Sequence, residues 1–104
     1  MSSKPETLIQ TKILKYLKEL DEQGEPIFYE RRQAGGLSYK KGIPDIYAVY
    51  DGIHIEIEVK TPTGELSTMQ EKFRDRCKRK NIIWICATSV KEVKELIEKI
   101  KGWE

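Results

Sequence analysis

The chain has 104 residues, enough for one domain with a single modest core and too few for two. Lys and Arg total 19 against 17 Asp and Glu, a net charge of only +2, so bulk charge does not mark a nucleic-acid binder. No apolar run approaches a membrane span and the N-terminus is polar, which argues against a membrane protein. Cys77 and Cys86, the only cysteines, lack metal-ligand spacing, so the expectation is reduced thiols and a cytoplasmic location, bacterial or that of a host cell.

Taken in order, Ser3-Lys4-Pro5-Glu6 has the form of a capping box, and Ile9, Ile13, Tyr16, Leu17 and Leu20 follow at helical spacing. The spacing predicts a helix over about residues 4 to 21, stopped near Gly24. Residues 26 to 30 read as a short strand. Residues 33 to 43, with Gly35, Gly36 and Gly42 among polar and basic residues, read as a loop. Asp51-Gly52 between apolar-rich runs is a strong two-residue hairpin turn, with strands over about 44 to 50 and 53 to 60. Residues 61 to 65 form a turn, and Ser67 with Gln70 caps a second helix whose predicted buried stripe is Met69, Phe73 and Cys77. The unbroken apolar run 82 to 87 suits a fully buried strand. Ser89-Val90-Lys91-Glu92 predicts a third capping box, opening a helix with Val93, Leu96, Ile97 and Ile100 inward. The order is α-β-β-β-α-β-α, and its β-α-β step should be parallel, giving a mixed sheet flanked by helices.

The hairpin carries the chemistry. With Asp51-Gly52 as the turn, Tyr50 pairs with Ile53 and, further down the ladder, Asp45 falls opposite Glu58. Asp45, Glu58 and Lys60 then share one face, and Ile46, Ala48, Tyr50, Ile53, Ile55, Ile57 and Val59 the other. Burial of the apolar face fixes this register, because a slip of one residue would send the carboxylates into the core. Two facing carboxylates repel, and a hard divalent cation between them would reverse the sign. The plain alternative is an amphipathic hairpin with a half-exposed charged outer face of His54, Glu56, Glu58 and Lys60. Glu56 shares that face with Glu58, but only Glu58 has a lysine two residues on and Asp45 opposite; His54, opposite Val49, reads as a surface residue.

Gly42-Ile43-Pro44-Asp45, Glu58-Val59-Lys60-Thr61-Pro62-Thr63-Gly64 and Leu66-Ser67-Thr68-Met69-Gln70, in that order, resemble the VRR-NUC family of the PD-(D/E)xK nuclease superfamily. The resemblance covers nearly the whole chain. It implies an α/β fold, a single-domain restriction-endonuclease-like core spanning residues 1 to 104 with a mixed four-stranded sheet. It also implies a hydrolase, a structure-selective endodeoxyribonuclease dependent on Mg²⁺ or Mn²⁺ and acting on branched DNA such as Holliday junctions. Asp45 and Glu58 would be metal ligands, the Val59 carbonyl would complete the site, and Lys60 would serve the attacking water or the transition state. Glu6 at the start of the first helix would be a third acidic ligand, with Gln10 one turn on beside it, although a capping box also wants Glu at that position. Gln70 would approach the site while also serving its cap.

Two stretches are locally basic. Residues 31 to 44 hold Arg31, Arg32, Lys40 and Lys41 and no acid, and residues 72 to 80 hold six cations against Asp75. Arg31, Arg32, Lys40 and Lys41 are candidate phosphate contacts; the bland reading of each run is a solvated face. Partners implied are branched DNA, a second copy in a homodimer, and a helicase or other replication or repair protein. The competing function is a non-catalytic or partner-dependent nucleic-acid-binding module that keeps the nuclease fold.

Overall fold

The protein is described from a computed structural model, for residues 5–32 and 42–103. Three helices and four strands follow in the predicted order: α1 Pro5–Glu22, β1 Ile27–Arg31, β2 Ile46–Tyr50, β3 Ile53–Val59, α2 Thr68–Arg79, β4 Ile83–Ala87 and α3 Val90–Lys101. The Ser3 end of the first capping box and residues 33 to 41 of the Gly-rich stretch, including Lys40 and Lys41, lie outside the described residues.

The strands form one sheet in the order β1-β2-β3-β4. Asp51 (φ 50°) and Gly52 (φ 83°) are both left-handed, as a type I′ hairpin turn requires. They set the β2–β3 register at Tyr50↔Ile53, Tyr47↔Glu56 and Ile46↔Ile57, one step short of Asp45 opposite Glu58. β1 pairs antiparallel with β2 and β4 pairs parallel with β3, so the sheet is mixed.

The apolar faces of β2 and β3 meet α1 and α3. Ile46, Ile55, Ile57 and Val59 form one core cluster with Ile13 and Leu17 of α1 and Val93, Ile97 and Ile100 of α3. The opposite face of β3 is covered by α2, whose Cys77 lies beside Glu56 and whose Phe73 shares a cleft with it. β3 is thus enclosed on both sides, and every residue from Ile55 to Val59 is buried. This overturns the reading of a half-exposed charged face: Glu56 and Glu58 are each 2% exposed.

Other local expectations also needed correcting. β4 is a sheet edge, and Ile83 to Cys86 are only half-buried, because an apolar run reports two covered faces but not the open edge. On α2 only Cys77 is buried, while Met69 in the first turn is 46% exposed. The Ser67–Gln70 capping box forms in full. The one expected at Ser89 does not. The Ser89 side chain makes no cap bond, and Glu92 Oε1 instead accepts from the Thr88 N–H and hydroxyl, one residue too early.

Candidate active site

Asp45 sits one residue before β2, half-buried, and its carbonyl accepts the Arg32 N–H at 2.6 Å. Continuing the ladder by one pair puts it across from Glu58. Pro44, fully buried, and Gly42 fix the approach of the chain. Gly42 is left-handed (φ 87°), and a Cβ there would meet the Met69 carbonyl oxygen at 2.5 Å. The segment leading to Asp45 therefore runs against the first turn of α2, which the Ser67–Gln70 cap holds.

Burial, more than charge, sets the electrostatics of these carboxylates. Burial, then the charge of Asp45, pushes the Glu58 carboxyl up to about 7; Lys60 pulls it back and Glu6 adds to the rise. Burial likewise raises the Asp45 carboxyl against the pull of Arg31, Lys60 and Arg32. Among the described residues, Glu58 Oε1 is buried with no hydrogen-bond partner. A buried oxygen of this kind costs free energy unless something satisfies it, and hard oxygen donors facing each other suit Mg²⁺ or Mn²⁺. Lys60 follows β3, half-buried, with its backbone N–H bonded to the Ala87 carbonyl.

Glu6, in the first turn of α1, lines a cleft of about 200 Å³ with Thr7, Gln10 and Asp45. That places Glu6 and Gln10 on the Asp45 side of the site. Among the described residues, however, no three Asp, Glu, His or Cys side chains converge as a ready metal cage. Gln70 spends its side-chain oxygen on the Ser67 N–H at 2.8 Å.

Glu56 has a different environment. Arg32 grips it with two bonds, Nη1 to Oε1 at 2.6 Å and Nη2 to Oε2 at 2.9 Å, and His54 Nε2 lies 2.6 Å from Oε2. Arg32 Nη1 also donates to the Pro44 carbonyl, and its guanidinium lies 4.7 Å from the Tyr47 ring centroid. Sequence reasoning offered Arg32 to phosphate and His54 to solvent, and it missed this network. The available signal was the register itself, which turns Glu56 to the same covered side as Glu58. Arg31 is exposed and its charge reaches Asp45.

No family model matches the sequence, and no curated protein matches it. A solved structure described as a VRR_NUC domain superposes with a TM-score of 0.71 over 92% of this chain and 97% of that one, at 21% identity. The fold is that of a VRR_NUC domain. Within the VRR_NUC fold, Asp45 and Glu58 sit where the hairpin end meets the α1 N-terminus and the α2 cap. Among the described residues, no helix is long and apolar enough to cross a membrane.

Proposed function

We propose that this chain is a metal-dependent endodeoxyribonuclease that hydrolyses phosphodiester bonds in branched DNA such as Holliday junctions. The observation that carries the reading is Glu58: a buried carboxylate oxygen with no partner among the described residues, facing Asp45, with Lys60 two residues on. Asp45 and Glu58 would hold Mg²⁺ or Mn²⁺, with the Val59 carbonyl and Glu6 as further oxygen donors. When bound, such a cation polarises a phosphoryl oxygen and lowers the pKa of water.

The chain's own groups do the remainder. Glu58 must be ionised to act as a ligand, so the rise of its carboxyl to about 7 makes cation binding a proton-releasing event. Lys60 orients the attacking water and offsets charge on the phosphorane as water bonds to phosphorus and the bond to the leaving sugar oxygen breaks. The water's proton is lost to solvent and the leaving oxygen regains one. Arg31 contacts the backbone next to Asp45, a salt-sensitive contact without base readout. Lys40 and Lys41, close by in sequence, join it. Gln70 supports the site through the α2 cap. A homodimer would present two such sites to two strands.

The test is nicking of labelled four-way junctions, flaps and linear duplex in Mg²⁺, Mn²⁺ or EDTA. Metal-dependent cutting, strongest on the junction and lost in Asp45→Ala and Lys60→Ala, is expected. Binding without cutting in any metal would replace this reading with a binding or partner-dependent module.

A further inference from the structure

The face of the sheet that carries Asp45 and Glu58 is only partly roofed. α2 packs on β4, and among the described residues no helix covers the same face of β1 and β2. What stands there is largely aromatic, with one exposed acid, Glu30, paired with Tyr47 on the edge strand β1. Phe28 pairs with Val49, which pairs with His54, and Tyr47 pairs with Glu56, so Phe28, Tyr47 and His54 share the carboxylates' face. The Phe28 and Tyr47 rings are 6.2 Å apart, and Tyr47 and His54 5.9 Å in an edge-on contact. Phe28 is 56% exposed, in a chain where 35% of residues are charged. Arg32 stacks on Tyr47 while bonded to Glu56, and His54 is bonded to Glu56 as well, so both rings rest on the same ion pair.

The row continues into a cleft of about 290 Å³ between His54 and α2, bordered by Phe73 and by exposed Arg76 and Lys80. The one acid lining it, Glu56, is already neutralised by Arg32. The result is an aromatic shelf of rings tilted 43° and 64° to one another, two residues along β2 from Asp45, with cations at its far end.

We propose that this shelf binds an unpaired nucleic-acid strand, its bases stacking on Phe28, Tyr47 and His54 and its phosphates meeting Arg76 and Lys80. This rests on the nuclease reading above for its choice of ligand, and it adds the substrate feature that the metal site alone does not select: single-stranded character beside the scissile phosphate. Aromatic faces accept any base, and the charge complementarity comes from α2, so binding is tolerant of sequence and sensitive to salt. A stacked duplex cannot offer its base faces to such a shelf.

The test is binding of labelled oligo(dT) and of a blunt duplex to the full chain in EDTA, where no cutting intervenes. Wild-type protein is expected to prefer the oligonucleotide. Phe28→Leu keeps the apolar character but removes the ring, and should weaken oligonucleotide binding about tenfold, in line with the worth of one base stack. Phe28→Trp should keep the affinity, with its indole emission quenched on binding. Arg76→Ala with Lys80→Ala should flatten the salt dependence. Equal affinity of Phe28→Leu and wild type for the oligonucleotide would overturn the proposal. So would a fall from dimer to monomer in Phe28→Leu without change in oligonucleotide preference, which would make the shelf a self-association surface. If Phe28 governs oligonucleotide binding while no metal supports cutting, the nuclease reading fails and the shelf stands; cutting that ignores Phe28 on flap and duplex alike gives the reverse.

Discussion

Glu56 and Glu58 stand two residues apart on β3, equally buried and facing the same way, yet among the described residues only Glu56 is held by a cation. Arg32 neutralises Glu56, and Glu58 is left with an orphaned oxygen opposite Asp45. One carboxylate is built into the fold and the other is kept available. Their different environments give opposite mutational outcomes.

Glu58→Gln should stabilise the metal-free protein at neutral pH, by roughly 1–3 kcal/mol, because it removes a buried charge that lacks a partner. The same variant should lose cutting. Urea unfolding in EDTA, read beside the nicking assay, checks both; a Glu58→Gln protein less stable than wild type would mean that Glu58 already has a stabilising partner.

Arg32→Ala should destabilise by about 3 kcal/mol, the low end for a broken buried ion pair because Arg32 itself is partly exposed. Glu56 would then be a buried charge facing only His54. If Arg32 served chiefly as a phosphate contact, the variant would keep its unfolding midpoint and lose DNA affinity instead.

The metal-free protein should become less stable as pH rises from about 4.5 to 7. In that window folded Glu58, raised to about 7, keeps its proton while the unfolded chain has released it, so the folded state binds more protons and stability falls with pH. Asp45, also raised, acts in the same direction from a lower starting pH. The Glu58 contribution is at most about 3 kcal/mol and levels off above pH 7. Thermal unfolding in EDTA across this range, with Glu58→Gln as the control whose slope is shallower, measures it.

Gly42→Ala should destabilise by about 2 kcal/mol or more, through a left-handed backbone and a collision with the Met69 carbonyl. Because Gly42 sets the path to Asp45, activity should fall further than the loss of folded protein explains. Activity normalised to circular-dichroism-measured folded fraction separates the two effects.

The fold is legible where local chemistry decides it. Asp51-Gly52 favours a tight hairpin turn, and that turn, with the apolar alternation, is enough to set Asp45 against Glu58. Sheet position is not legible: the apolar run of β4 reads the same at the centre or the edge. Nor is the role of Arg32, which depends on a contact with Glu56 across 24 positions of sequence. The capping box that fails at Ser89 is a one-residue matter, since Glu92 takes the backbone N–H of Thr88 and meets Ser89 only through its hydroxyl, at 3.4 Å. In the site, the hairpin residues are readable from spacing, whereas the neighbourhood of Glu6, Gln10 and Asp45 arises from packing of α1 against the sheet.

The most direct measurement is calorimetric titration of Mn²⁺ into the wild-type chain, Asp45→Asn and Glu58→Gln at pH 7.5. Saturable binding in the wild type, lost or weakened at least tenfold in both variants, is the expected result for a cation held between Asp45 and Glu58. Equal Mn²⁺ binding in all three proteins, or none in the wild type, would contradict it.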